Sequence, residues 1–279
     1  MICSVRDVPV YYEEYGEGKP VLCIHGYTLD HRMMRGCMEP VFKETPGYRR
    51  IYIDVPGHGK TPSAEWIHNE DDMLTLIIEF INAVISGENF LIAGESHGGY
   101  VALGLIHNMP DRIDGVLLLC PQLKSWILNR VERERLPQKQ LIWRAKDLGS
   151  EEIEPDIQSF LEFAVIATPE IYTKYKNDIL SGIKLADRDF LFNHFDGAYS
   201  HEFEAKIRMM EFGKPTCILT GRQDQAVGYL DAFEMLNRFP RATFAVLDCA
   251  GHNLQMENEP VFHQMVQDWI WRVRLAEHP

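Results

Sequence analysis

Short apolar runs alternating with helical stretches constrain this chain more than any other feature of its sequence. VLCIH (21–25), RIYIDV (50–55), FLIAG (90–94) and VLLLC (116–120) each have the length and apolar content of a buried strand. Helical stretches separate them. Residues 70–86, EDDMLTLIIEFINAVIS, open on acidic residues suited to a helix N-terminus and set Leu74, Ile77, Ile78, Ile81 and Ile85 at helical spacing. Residues 98–109 form another. This rhythm predicts an α/β fold: a mostly parallel, doubly wound sheet with helices on both faces. The earlier pair ICSV and VPVYYEEYG alternates in polarity and suits an antiparallel hairpin at the sheet edge.

After VLLLCP the rhythm stops. The next strand run, PTCILTG (215–221), lies more than ninety residues on, and a crossover needs far fewer. The stretch between is rich in charges and aromatics and has no strong strand run. It reads as a helical cap inserted after the sixth strand. The chain then divides into a core, 1–121 with 211–279, and a cap, 122–210. Alternation resumes with strand 215–221, helix 229–238, strand 243–249 and helix 258–275.

Composition narrows the partners. With 28 basic against 41 acidic residues the net charge is −13, which works against a phosphate backbone and predicts no nucleic-acid partner. No apolar stretch approaches the roughly 20 residues of a membrane span, so no membrane partner is expected, and the N-terminus lacks the pattern of a signal peptide. The six cysteines show no CxxC or Cys/His spacing, and most lie in apolar runs. Reduced thiols, a cytoplasmic location, no metal and no cofactor follow as expectations. The partner left is a small-molecule substrate.

Two roles compete for Ser96, which lies within FLIAGESHGG at the junction of a strand and a helix. A serine before a helix is usually a cap. Yet Gly94-Glu95-Ser96-His97-Gly98 fits G-x-S-x-G, a sharp strand-to-helix turn in which side chains two residues either side of the serine would have little room. There the helix N-terminus would favour a developing negative charge. Such a serine needs a base. Of eleven histidines, His252 stands out, because DCAGHNLQMENEP follows the last strand and doubly wound folds build sites at that sheet edge. Asp224, in LTGRQDQAV after the preceding strand, is the natural orienting group. Asp248 competes but is placed to cap its own turn.

Five segments, IHGYTLDHR (24–32), DVPGHGKT (54–61), AGESHGG (93–99), TGRQDQAV (220–227) and AGHNLQMENEP (250–260), resemble those of α/β-hydrolase-fold proteins in order and spacing. The resemblance covers nearly the whole chain apart from the cap. It implies Ser96 as nucleophile, His252 as general base and acid, and Asp224 as the carboxylate that orients it. It also implies an oxyanion hole from the backbone N–H groups of Tyr27 and His97. His25, Asp54 and Glu95 suit structural roles. Gly57 and Gly59 suit a tight turn, with His58 exposed between them. Trp126, Phe160, Phe163 and Tyr199 are the cap aromatics assigned to an apolar substrate pocket, each also able to serve as cap core.

The activity implied is that of a serine hydrolase cleaving a small or medium, partly apolar carboxylic ester through an acyl enzyme. A carbon–carbon bond hydrolase, a thioesterase or an aminopeptidase would keep the same three residues. His97 after Ser96, with Asp30-His31-Arg32, is also similar to cofactor-independent dioxygenases of this fold, although Cys120-Pro121 puts no acid at the end of its strand. A ligand receptor without turnover is the remaining alternative.

Overall fold

The computed structural model describes residues 1–124, 136–145 and 154–277. The chain opens with a hairpin, β1 (Ile2–Val5) and β2 (Val8–Tyr15), turned by Arg6 and Asp7 at φ 45° and 66°. Positive φ at both central residues is what a tight hairpin turn demands. Next come β3 (Lys19–Ile24), β4 (Tyr48–Ile53), β5 (Phe90–Glu95) and β6 (Ile113–Leu119). A two-residue parallel ladder of β7 (Trp143–Arg144) and β8 (Ile166–Ala167) stands apart from the main sheet. β9 (Thr216–Gly221) and β10 (Ala242–Leu247) complete an eight-stranded sheet in the order β1-β2-β4-β3-β5-β6-β9-β10. Pairing is antiparallel through β2 and parallel from β4 to β10.

Alternate residues of these strands feed two separate cores, as a period of two requires. Leu22, Ile24, Ile92, Leu118 and Ile218 join the core beneath α2 (Glu70–Val84) and α3 (His97–Asn108). Cys23, Leu91, Ala93, Leu117 and Leu219 join the one beneath α1 (His31–Lys43) and the long C-terminal helix Glu259–Glu277. The doubly wound α/β architecture expected from the alternation is therefore present. Sequence chemistry sets the helix starts. Asp30 accepts a hydrogen bond from the Arg32 amide at 3.0 Å, and Asn69 accepts from the Asp72 amide at 3.1 Å, ahead of an acidic first turn.

The expected helical insertion lies between β6 and β9. It contains α4 (Pro155–Phe163) and α5 (Pro169–Tyr175), which runs through a π-helical turn into α6 (Ser181–Ile183). A second π-helical turn, Phe190–His194, and α7 (His201–Met209) follow. Beyond the insertion come α8 (Leu230–Met235), α9 (Leu254–Glu257) and α10, the C-terminal helix Glu259–Glu277. Among the described residues no helix is long and apolar enough to cross a membrane.

Chain direction positions the site. β3 leads outward to β4, while β5 returns to the other side of β3. Loops after β3 and β5 therefore diverge, leaving a crevice at the carboxyl ends of the strands. Tyr27 and Ser96 follow those two strands. Asp224 and His252 follow β9 and β10.

Candidate active site

Ser96 ends the strand and starts the helix at φ 50°, ψ −115°, and its side chain makes no capping hydrogen bond. That left-handed backbone costs on the order of 1–3 kcal/mol and persists only where surroundings enforce it. The surroundings here are backbone. The Ser96 amide donates to the Leu119 carbonyl at 3.0 Å, and its carbonyl accepts from the amides of Gly99 and Gln122, each at 2.9 Å. A Cβ on Gly94 would lie 2.3 Å from the Gly98 carbonyl oxygen, and one on Gly98 would lie 2.2 Å from that of Ile24. Neither neighbour is a movable side-chain tip. Gly98→Ala is expected to cost about 2–3 kcal/mol, read as a lower urea midpoint.

The freed hydroxyl faces an imidazole. Ser96 Oγ lies 3.0 Å from His252 Nε2, and His252 Nδ1 lies 2.9 Å from Asp224 Oδ2. The carboxylate fixes the tautomer: Nδ1 carries the proton and Nε2 accepts from the serine. Asp224 is itself held, its Oδ1 accepting from the amides of Ala226 at 2.8 Å and Val227 at 3.1 Å. Asp248, the competitor, instead accepts from Gln223 Nε2 at 2.7 Å, beside Cys249 at φ 55°. It holds the turn.

Glu95 lies closer to this chemistry than the sequence suggested. Its Oε1 is 3.3 Å from His252 Nε2, and its buried Oε2 has no hydrogen-bond partner. Burial pushes this carboxyl up to about 7, against the pull of His252 and with a push from Asp224. For His252, burial acts downward, but the carboxylates of Asp224 and then Glu95 and Glu257 outweigh it and hold the ring at about 9. A base must be neutral to accept a proton, so activity is expected to rise with pH toward that value. Glu95→Gln removes one raising carboxylate. The acid limb of kcat/KM against pH should then move to lower pH.

Backbone donors lie beside the serine. Neither the Tyr27 nor the His97 amide has a hydrogen-bond acceptor among the described residues. His25 ties the neighbouring loops together: its Nδ1 donates to the Gly26 carbonyl at 2.8 Å, and its Nε2 accepts from the Val55 amide at 3.2 Å. Asp54 accepts from His31 N at 2.7 Å, from His31 Nδ1 at 2.8 Å and from the Lys60 amide at 2.9 Å. Asp30, His31 and Asp54 could group around a cation, yet these bonds, with those of Asp30 to Arg32, already occupy their ligand atoms. Cys120 Sγ clusters with Asp224 and His252 within 4.8 Å. Burial pushes that thiol far up, which keeps it protonated and a poor ligand.

Residues 19–259 match the family described as alpha/beta hydrolase fold. The chain belongs to the alpha/beta hydrolase fold family. Its structure is similar to that of an alpha/beta superfamily hydrolase from Oenococcus oeni, with a TM-score of 0.86 and 27% identity over 95% of this chain and 96% of that one. In sequence it is 25% identical over 266 residues to the (E)-2-((N-methylformamido)methylene)succinate hydrolase of Acinetobacter baylyi, covering 93% of each chain. It is also 25% identical over 269 residues to a 2-hydroxy-6-oxononadienedioate/2-hydroxy-6-oxononatrienedioate hydrolase of Paraburkholderia phymatum, covering 95% of this chain and 91% of that one.

Within this hydrolase fold the described cap aromatics, Phe160, Phe163 and Tyr199, do not converge. Phe160 is buried between Tyr172 and Tyr175, at ring distances of 5.4 and 5.2 Å. Phe163 is exposed, and Trp126 lies outside the described residues. Tyr199 packs on Tyr100 at 4.7 Å, in the core on the other face of the sheet from Phe160. His58 corrects an expectation. Rather than an exposed turn residue it is buried, among the rings of His25, Tyr27 and His97, and the turn Phe190–His194 packs on the neighbouring Gly57, where a Cβ would meet the Phe190 ring at 2.5 Å. Gly57 and Gly59 adopt φ 78° and 54° in that turn. Nothing in the local pattern marks Glu70 as part of this region. Its acidic first-turn position explained it fully, and only its burial beside His97 marks it out.

Proposed function

We propose that this protein is a serine hydrolase cleaving a small or medium, partly apolar carboxylic ester. One observation carries the reading: an unbroken line of hydrogen bonds from Ser96 Oγ through His252 to a buried Asp224. Ser96 Oγ attacks the ester carbonyl while His252 Nε2 takes its proton. The amides of Tyr27 and His97 hold the oxyanion, a role in which one donor typically accounts for about 100- to 1000-fold in rate. His252 then returns the proton to the leaving alkoxide. Water, deprotonated by the same ring, attacks the acyl enzyme and releases the acid. Asp224 stays ionised throughout and stabilises the imidazolium.

A second reading, hydrolysis of a different bond by the same residues, is favoured by the relatives. Two of them are named as hydrolases of substrates that are not simple esters. Matched p-nitrophenyl ester, thioester, anilide and β-diketone substrates separate the two. The ester is expected to exceed the others in kcat/KM by at least about tenfold. Turnover of the diketone or anilide with an inert ester would overturn the assignment.

A further inference from the structure

The side chain of His97 takes no part in the chemistry above, yet it sits in a polar cluster beside the nucleophile. Its Nε2 lies 2.5 Å from Glu70 Oε1, with both side chains buried. Three buried atoms here have no hydrogen-bond partner: His97 Nδ1, Glu70 Oε2 and His58 Nε2. Buried polar groups are rarely left so in native proteins, and each asks for a ligand or a water. His58 Nδ1 lies 3.0 Å from the Pro56 carbonyl, so it carries the ring proton. The orphaned Nε2 is therefore an acceptor and requires a donor. Burial, with His25 and His97 nearby, holds this ring well below the usual histidine range, which keeps it neutral.

The two imidazoles are nearly parallel, at 15°, with centroids 6.5 Å apart. Tyr27 walls the cluster, its ring 5.6 Å from that of His58 and 5.4 Å from that of His97. The insertion closes it: Tyr27 Oη donates to the Leu191 carbonyl, and the Phe192 ring packs on Tyr27 at 5.8 Å. The cluster thus lies at the seam between sheet and cap.

Sheet order tells which part of a substrate reaches it. Tyr27 and His58 follow β3 and β4, on one side of β5, whereas Asp224 and His252 follow β9 and β10 on the other. A leaving group must face His252 to receive its proton, so the acyl part points toward Tyr27, His58 and His97.

Resting on the serine-hydrolase reading, we propose that His58 Nε2 and His97 Nδ1 form a subsite for a hydroxyl group on the acyl chain, with Glu70 holding His97 in place. The hydroxyl donates to His58 Nε2 and accepts from an Nδ1–H of His97, whose ring keeps its second proton in the bond to Glu70. A carboxylate, ketone or alkyl group has no proton for His58. An ammonium would add a charge to a buried, aromatic-walled site, which is costly.

Specificity ratios test this. The kcat/KM values of p-nitrophenyl 2-hydroxy- and 3-hydroxybutyrate are each divided by that of p-nitrophenyl butyrate. His58→Asn keeps a donor for Pro56 and deletes the atom at Nε2, whereas His58→Gln keeps an acceptor there. At least one ratio is expected to fall about five- to tenfold in His58→Asn and to stay near wild type in His58→Gln. A purely structural role would lower all esters together, and ratios unmoved in His58→Asn would overturn the proposal. So would a fall confined to the same ratio measured for p-nitrophenyl 3-aminobutyrate, which would assign the cluster to an ammonium. Failure of the hydrolase reading itself looks different: the wild-type protein would not turn over the butyrate ester.

Discussion

Ser96→Ala is expected to lower kcat/KM for p-nitrophenyl butyrate by at least about 10⁴-fold while leaving the thermal midpoint within a few degrees of wild type. The substitution removes one oxygen and keeps the Cβ, so the strain at φ 50° is the same in both proteins. It breaks a single side-chain hydrogen bond, the one to His252 Nε2. The contacts that pin this turn, to Leu119, Gly99 and Gln122, are made by backbone and survive. Loss of activity without loss of fold therefore isolates the hydroxyl. Steady-state kinetics and a melting curve on the two proteins provide both readouts.

Asp224→Asn is expected to cost on the order of 10³–10⁴ in kcat, with a small change in KM. The reason lies in the hydrogen bonds around the carboxylate. Oδ1 accepts from the amides of Ala226 and Val227, so an asparagine must place its carbonyl oxygen there. Its NH₂ group then points at His252 Nδ1 and donates to it. The imidazole is driven into the opposite tautomer, with the proton on Nε2, where it cannot accept from Ser96. Removing the negative charge also removes the strongest upward influence on His252. The acid limb of the remaining activity should move to lower pH, which a mere loss of folded protein would not produce.

How much of this was legible in the sequence differs from element to element. The sheet was legible because its strands are short apolar runs buried on both faces, and the insertion because a ninety-residue gap cannot be a crossover. Ser96, Asp224 and His252 were singled out by motif and by chain order, and the fold brings them within hydrogen-bond distance of one another. The polar surroundings were not legible. Glu95 reads as one more carboxylate until its 3.3 Å approach to His252 is measured. His58 sits between two glycines, a setting that signals an exposed turn, and nothing local to it announces the cap segment that packs on Gly57 beside it. Glu70 fits a helix N-terminus so well that its second relationship, with His97, leaves no trace in the pattern. Contacts of this kind join residues far apart in the chain, and no local pattern carries them. Aromatic content likewise does not separate lining from packing: Phe160 and Tyr199 each pack on other rings.

The central claim is that Ser96 is an activated nucleophile, and intact-protein mass spectrometry after fluorophosphonate treatment tests it most directly. The wild-type protein is predicted to gain the mass of one phosphonyl group, on the peptide containing Ser96, and Ser96→Ala to gain none. An unlabelled wild-type protein that still hydrolyses esters, or a label that persists in Ser96→Ala, would contradict the claim.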